Sequence, residues 1–203
     1  MNNFLNATTQ ESRQPGRVHM HYAHLHETDS FAPLSPAGKA ALPKSAQSRA
    51  LRPGRDLRLR TSRDSRTGQV LARIIKVPLG DIHIYNPNEP YDCRISINLE
   101  VNLDRPDLNP ADLIEPPGLD NRPAMPDRKK DRLSYKHLCY SVDLTKVEVQ
   151  GLPQPKYELE LEVDAQVLRR QMGLQEQGQQ NAVADVVGGF LDNCCFLMKQ
   201  RPG

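Results

Sequence analysis

Several features that mark common classes of protein are missing from this sequence. Its 203 residues include no tryptophan and only 5% aromatic residues, and no apolar run approaches the roughly 18 residues of a membrane helix. The first residues show neither the basic start nor the apolar stretch of a signal peptide. We therefore expect a soluble, intracellular protein with a small hydrophobic core and no membrane partner.

Cysteine is also scarce, and its spacing excludes two kinds of stabilising site. The four cysteines are Cys93, Cys139, Cys194 and Cys195, and none of them forms a C-x-x-C motif. Adjacent cysteines in a helical pattern point in different directions, so this spacing suits neither a disulfide framework nor a structural zinc site. We expect four reduced thiols, two of them buried.

The familiar nucleotide-binding and hydrolase motifs are absent as well. The sequence contains no G-x-x-x-x-G-K, no G-x-G-x-x-G after a strand, no H-E-x-x-H and no G-x-S-x-G. Its 17 prolines divide the chain into short segments, which is typical of a strand-rich protein. We predict a single domain over residues 1–203, with proline-rich loops at 30–54 and 102–127.

The charge of the chain is unevenly distributed, although the net charge is only +2. Positive residues outnumber negative ones in the first 76 residues, most densely over 49–76, and negative residues predominate afterwards. Such a basic segment is either a solvated surface or an anion-binding surface. Composition does not distinguish these two interpretations.

Alternating patterns predict most of the regular structure. Strands are expected at roughly 56–63, 69–77, 79–86, 91–101, 128–138, 139–149 and 156–164. Residues 17–27 predict a further short, irregular strand, and its four histidines are open to interpretation as metal ligands or, as we favour, exposed strand side chains. Apolar residues at helical spacing over 183–197 predict a helix that covers the sheet.

Two of the predicted strands carry rows of like charge. Residues two apart face the same side of a strand, so one face of 156–164 carries Glu158, Glu160 and Glu162. The basic row is Arg128, Lys130 and Arg132. The solvent-exposed face of an ordinary antiparallel sheet explains either row singly, but like charges so close together repel unless counter-ions or ligands offset them.

Taken together, these strands predict a barrel with its charged faces inward. Carboxylates in such a lumen would bind a hard divalent cation, and the cationic side chains would bind phosphates. This combination is what metal-assisted phosphoryl transfer requires.

Four blocks in this order resemble the fungal mRNA-capping RNA triphosphatases of the triphosphate tunnel superfamily. The blocks are 94–100 (RISINLE), 128–135 (RKKDRLSY), 143–145 (DLT) and 158–162 (ELELE). The resemblance implies a β-rich α+β fold: an antiparallel tunnel barrel of about eight strands, covered by helices that include the C-terminal one. It also implies hydrolysis of the γ-phosphate from the 5′-triphosphate end of nascent mRNA, dependent on Mg²⁺ or Mn²⁺.

The resemblance assigns roles to the cationic residues of the tunnel. Arg60, Lys130 and Arg132 correspond to the residues that hold the γ-phosphate. Lys76 and Arg128 correspond to supporting cations.

The same resemblance assigns the remaining site residues. Glu100 corresponds to the carboxylate that positions the attacking water, and Asp143 and Thr145 to the pair that orients the cationic side chains. The metal-binding motif corresponds to the row Glu158, Glu160 and Glu162, with the direct ligand left open among the three.

Partners, location and one departure also follow from the resemblance. It implies a nuclear enzyme that acts on 5′-triphosphate RNA, docks on the mRNA guanylyltransferase subunit and forms a homodimer. Family members begin their tunnel with a Glu-x-Glu strand followed by a helix, whereas residues 1–6 resemble only the end of that helix. We therefore expect the first strand to be missing and the chain as written to be nearly inactive.

Two other functions fit the same residues. One is a non-catalytic, tunnel-shaped binding or scaffold subunit of the capping apparatus. The other is a hydrolase of the same superfamily that acts on free polyphosphate or nucleoside triphosphates.

Overall fold

The computed structural model describes residues 1–50, 57–116 and 124–200. Its helices are α1 (Asn2–Glu11), α2 (Pro36–Ala40), α3 (Lys44–Ala50), α4 (Ala165–Glu176) and α5 (Val183–Met198), with a 3₁₀ turn at Pro110–Leu113. Its strands are β1 (His21–Pro33), β2 (Arg58–Asp64), β3 (Val70–Ile84), β4 (Cys93–Asn102), β5 (Arg128–His137), β6 (Tyr140–Val149) and β7 (Lys156–Val163).

The described strands form a single antiparallel sheet of seven, in the order β4-β3-β2-β1-β5-β6-β7. The sheet curls, so that Glu162 on β7 comes close enough to Glu100 on β4 for their charges to interact. A cavity of about 770 Å³ lies between these two strands and is lined by residues of β3, β4, β7 and α5. The result is an open half-barrel, which confirms the predicted antiparallel tunnel fold with covering helices.

The hydrophobic core lies on the outer face of β2, β3 and β4. Strand residues that alternate with the charged ones point outward there and are covered by α2, α3 and the 3₁₀ turn. Burying these side chains stabilises the sheet by roughly 25 cal/mol for each Å² removed from water. The buried core residues are Leu34, Leu42, Ala46, Leu59, Ile75, Val77, Val101, Leu103 and Leu113.

Helices α1 and α5 cover another part of the outer face, behind β5 and β6. Tyr135 is only 1% exposed, and its hydroxyl lies 2.7 Å from Asn2 Oδ1 and 2.8 Å from Asn6 Oδ1. The Tyr140 hydroxyl donates to the Val186 carbonyl at 2.9 Å. The polar ends of two tyrosines therefore fix both helices to the sheet.

Three of the predicted strands were wrong in length. The segments 69–77 and 79–86 form one strand, β3, because a register shift between Pro78 and Gly80 accommodates the proline without ending the pairing with β4. The irregular strand at 17–27 is the regular β1, which pairs residue by residue with β5 and continues to Pro33.

The predicted loop at 30–54 was wrong in its described part, and α4 was not predicted. Ser35 caps α2 by accepting a hydrogen bond from the Gly38 N–H at 3.0 Å, and Pro36 occupies the first turn, where its missing N–H costs nothing. Residues 51–56, and 117–123 of the second loop, lie outside the described residues. Asp164 caps α4 by accepting bonds from the N–H groups of Gln166 and Val167.

The cysteine prediction was correct in chemistry and wrong in burial. All four cysteines are free thiols, but Cys195 is exposed and the others are half-buried. Cys93 Sγ lies 3.1 Å from Cys194 Sγ, and burial, together with this neighbouring thiol, raises the pKa of Cys194 to about 12.

Within the described residues, no helix is long and apolar enough to cross a membrane.

Candidate active site

The strand register brings the charged rows to one face of the curled sheet, which we call the lumen face. Arg128 lies opposite Asp29, Arg132 opposite Thr145, and Lys76 opposite Glu100. Paired residues on neighbouring strands share a face, so the alternation of each strand extends across the sheet. The lumen face carries Asp29, Arg60, Ser62, Lys76, Glu100, Arg128, Lys130, Arg132, Asp143, Thr145, Glu158, Glu160 and Glu162.

Asp29 anchors the basic part of the lumen face. It is 1% exposed, its Oδ2 lies 2.6 Å from Lys130 Nζ, and its Oδ1 accepts a hydrogen bond from Ser62 Oγ at 2.6 Å. Burial acts to raise the pKa of Asp29, but Lys130, Ser62 and the charge of Arg60 outweigh it, so the pKa lies below its usual value. A permanent carboxylate therefore fixes the Lys130 ammonium.

Asp143 has the same relation to Arg132. The carboxylate is buried, and its Oδ2 lies 3.2 Å from Arg132 Nη1. Its Oδ1 accepts a hydrogen bond from Ser134 Oγ at 2.7 Å. Thr145 lies opposite Arg132 in register and is 2% exposed, but its hydroxyl has no hydrogen-bond partner in the part of the chain described here.

Two guanidinium donors on this face are left unpaired. Among the described residues, neither Arg60 Nε nor Arg132 Nε has a hydrogen-bond partner, although both atoms are buried. A buried donor without an acceptor costs about 1–3 kcal/mol, so these N–H groups suit an anionic ligand. Arg128 is held differently, with its guanidinium 5.1 Å from the centre of the Phe31 ring.

The acidic residues gather at the two edges of the sheet. Enclosure by the surrounding protein raises the pKa of Glu162, and the charges of Glu160, Asp143 and Glu100 raise it further, while Lys76 opposes the change. Carboxylates that repel one another in this way are relieved by a bound cation. The metal site predicted at the Glu row stays a prediction.

The Glu row is not equally placed for a metal. Glu160 and Glu162 line the cavity between β4 and β7, whereas Glu158 lies outside its lining. Carboxylate oxygens without nitrogen or sulfur ligands suit Mg²⁺ or Mn²⁺. The donor set therefore fits such an ion, with Glu160 and Glu162 as the residues best placed to hold it.

Lys76 and Glu100 face these glutamates from the opposite edge. Lys76 Nζ lies 3.8 Å from Glu100 Oε1, and both side chains are about half exposed. A pair this open contributes little to stability. Both side chains are therefore accessible on the lumen face, and Lys76 also lines the cavity.

The sequence analysis missed Asp29 and Ser62. Asp29 shares its parity with Glu27, so extending the predicted strand by one alternation would have placed it on the charged face. Ser62 has the parity of Arg60 in β2. Their role depends on the pairing of β1 with β2 and β5, which no single strand pattern contains.

Comparison with known proteins identifies relatives for the whole chain. Residues 1–202 match the family model described as mRNA capping enzyme, beta chain. The chain is 29% identical over 206 residues to the mRNA-capping enzyme subunit beta of Schizosaccharomyces pombe, covering 99% of this chain and 58% of that protein. It is 34% identical over 110 residues to the Yarrowia lipolytica subunit, covering 54% and 24%.

Solved structures give the same assignment. The structure of S. pombe Pct1 RNA triphosphatase in complex with the Spt5 CTD aligns with a TM-score of 0.74 and 27% identity, covering 99% of this chain and 67% of that one. A second structure of the S. pombe Pct1 RNA triphosphatase gives a TM-score of 0.72 at 27% identity, covering 99% and 66%. With a family match over nearly every residue and the same curled sheet, this chain belongs to the mRNA capping enzyme beta-chain family.

Proposed function

We propose that this chain forms the phosphate-binding wall and part of the metal site of an RNA 5′-triphosphatase. The proposed reaction removes the γ-phosphate from the 5′ end of nascent mRNA, the first step of cap formation. Its main support is the lumen face, on which half-buried arginines with buried, unpaired N–H donors share one face of the sheet with mutually repelling carboxylates. Phosphoryl transfer needs both groups, because the phosphates and the metal must be held together.

In the proposed reaction, water attacks the γ-phosphorus and the bond to the bridging β–γ oxygen breaks. Arg60, Lys130 and Arg132 hold the γ-phosphate, and Arg132 Nε and Arg60 Nε donate to its oxygens. Glu100 accepts a hydrogen bond from the attacking water and so orients it. The products are inorganic phosphate and an RNA that ends in a diphosphate.

Positioning groups keep these cations in place. Asp29 holds Lys130, and Asp143 holds Arg132, so neither side chain has to be ordered when the phosphate arrives. Thr145 lies opposite Arg132 in register, and its unpaired hydroxyl is available to help orient the same guanidinium group. Mg²⁺ or Mn²⁺, when bound by Glu160 and Glu162, would neutralise charge on the phosphates.

The proposal extends to the place of the protein in the cell. A diphosphate end is the substrate for guanylyl transfer, so a guanylyltransferase subunit is the expected partner and the nucleus the expected location. A homodimer is also part of the proposal, by analogy with the family. RNA contact would be mainly to phosphates, so binding should weaken with salt and show little sequence preference.

A non-catalytic subunit is the second candidate, and the sheet edges favour it. Among the described residues, no strand joins β4 to β7, and the acidic row lies on β7 alone. Two lumen carboxylates on one strand hold a hard cation weakly compared with a full set of oxygen ligands. The chain alone would then bind triphosphates but hydrolyse them slowly or not at all.

A single-turnover assay separates these functions. RNA labelled at the γ-phosphate is mixed with excess protein and Mn²⁺, and released phosphate and RNA binding are measured together. If the chain is an enzyme, we expect slow release of phosphate. Arg132→Ala should lower its rate by roughly 10³-fold, on the scale of arginines that stabilise a phosphoryl transition state. A matched control, Arg63→Ala, removes an equal charge from the outer face and should leave release unchanged.

Each result has a definite meaning. Binding without any release, at protein concentrations that saturate the RNA, would favour the non-catalytic subunit. Faster release from ATP or tripolyphosphate than from RNA would favour a hydrolase of free triphosphates. Equal loss in Arg132→Ala and Arg63→Ala would contradict the assignment of Arg132.

A further inference from the structure

Three potential metal ligands meet on the outer face of β1 and β5, opposite the lumen. His24 and His26 are two residues apart on β1, and Asp131 lies directly across from His26 on β5. His24 Nε2 is 2.5 Å and His26 Nδ1 is 3.5 Å from Asp131 Oδ1, and the ligand atoms all lie within 4.8 Å of one another. The strand register itself therefore creates the cluster.

The spacing of these atoms suits a small ion. Ligand atoms about 2.1 Å from Zn²⁺ in a tetrahedral site lie roughly 3.4 Å apart, which is close to the distance between His26 and Asp131. The shorter contact between His24 and Asp131 would lengthen by about 1 Å, and both side chains are exposed enough to rotate. Three protein ligands would leave one position for water.

The ligand types separate this cluster from the lumen glutamates. Imidazole nitrogen favours Zn²⁺, Cu²⁺ and Ni²⁺, whereas the carboxylates of Glu160 and Glu162 offer oxygen ligands. The two clusters also lie on opposite faces of the sheet, because His26 alternates with Glu27 and Asp131 with Lys130.

The surrounding charges do not prevent cation binding. Lys146 lies opposite Asp131 on the same outer face, but its Nζ is 2.7 Å from Glu148 Oε1. Lys129 also faces this side, opposite Thr28. Neither lysine is paired with Asp131, so the carboxylate remains available to an ion along with the two rings.

The geometry points to a binding site for a divalent transition-metal ion such as Zn²⁺, with His24, His26 and Asp131 as its ligands. Its consequence is mechanical, because the ion would join the two central strands of the sheet. Asp131 lies between Lys130 and Arg132, and His26 lies three residues before Asp29. An ion here would stabilise the strand pair whose other face carries the phosphate-binding cations.

The test is a zinc titration of the full chain, stripped of metal, under reducing conditions and with excess Mg²⁺ to occupy the lumen carboxylates. Isothermal titration calorimetry is expected to show one Zn²⁺ bound with micromolar affinity. His26→Ala and the isosteric Asp131→Asn should each weaken binding at least about tenfold, the effect of removing one of three ligands. Co²⁺ should give the visible absorption of a tetrahedral nitrogen and oxygen site.

His137→Ala is the matched control, because His137 lies on the same strand and the same face as Asp131. It should bind Zn²⁺ like the original chain. Zinc should also raise the melting temperature of the original and control proteins, since a ligand of the folded state stabilises it, and raise that of Asp131→Asn less at the same zinc concentration. Equal zinc affinity in all the variants, or no zinc binding to the original chain, would overturn the proposal.

Discussion

At the scale of single residues, Asp29 is the group on which the basic half of the lumen depends. Its folded pKa lies below 3.8, so its charge contributes stability above the unfolded pKa and loses that contribution as the pH falls through the lower folded value. Asp29→Asn keeps the shape and removes the charge. Because Lys130 is then buried without its partner, we expect a loss of about 3 kcal/mol in unfolding free energy at pH 7.

Urea denaturation measures this loss, and the pH identifies its cause. The difference between the two proteins should shrink as the pH is lowered below 3.8, because Asp29 takes up a proton in the unfolded original chain before it does so in the folded one. Asp104→Asn is the control, since Asp104 pairs with Arg73 from an exposed position and its replacement should cost under about 1 kcal/mol. A difference that stayed constant from pH 7 to pH 3 would show that the charge of Asp29 is not the cause.

Asp29 also shows what a sequence reveals about a site and what it does not. The rows of Glu and of Arg and Lys follow from alternation alone, because one parity of a strand decides one face. The partner of each cation does not follow, since Lys130 and Asp29 are separated by a hundred residues and meet only through the register of β1 and β5. The rows of charged residues along single strands were therefore predictable, and the residues on other strands that position them were not.

At the scale of elements, the helices were harder to predict than the strands. The strands carry a period of two that survives in short segments, and only the register shift at Pro78 misled the assignment of β3. The helix α2 is too short for a helical period to appear, and it depends on the Ser35 cap and on packing against the 3₁₀ turn. Contacts of this kind are tertiary, so local propensity does not predict them.

Gly38 makes the packing of α2 testable. A Cβ at this position would lie 2.2 Å from the Leu113 carbonyl oxygen and 2.9 Å from Leu34 Cδ2, and the carbonyl belongs to backbone that cannot easily move. Gly38→Ala should therefore destabilise the protein by about 2 kcal/mol or more, as overpacking of a core does. Thermal unfolding followed by circular dichroism measures the change.

The paired variant is Gly173→Ala in α4. Nothing lies within 4 Å of a Cβ at this position, so alanine gains helix propensity without a clash. The expected change is a stabilisation of about 0.5–1 kcal/mol. If both alanine variants shifted the melting temperature in the same direction, the close approach of α2 to the 3₁₀ turn would not be the deciding contact.

At the scale of the whole molecule, curling of the sheet turns separate charged strands into one binding surface. The phosphate-binding cations Arg60, Lys130 and Arg132 lie on β2 and β5, and the acidic row lies on β7. A ligand that touches both groups therefore has to enter the lumen. Arg60 from the basic first part of the chain and Glu160 and Glu162 from the acidic later part thereby lie on one face of the sheet. The affinity of a charged ligand should therefore depend on the position of each charged side chain of the protein, as well as on the net charge.

Tripolyphosphate binding without metal tests that arrangement. Arg132→Ala removes a buried donor held by Asp143, and a hydrogen bond between charged groups is worth about 1.5–3 kcal/mol, so affinity should fall by roughly 10- to 100-fold. Arg63→Ala removes the same charge from the outer face, where the side chain donates to Ser30, and should change affinity less than about twofold at physiological salt, because bulk water and ions screen it.

Isothermal titration calorimetry at two salt concentrations separates contact from net charge. Screening should weaken the long-range attraction in both variants alike, while the gap between Arg132→Ala and Arg63→Ala should persist at higher salt, since a buried contact is screened less than an exposed one. A gap that closed as salt was added would mean that the cations act only through the overall field of the protein. The lumen would then attract phosphate without holding it, and the positions of Lys130 and Arg132 on the lumen face would have no role in binding.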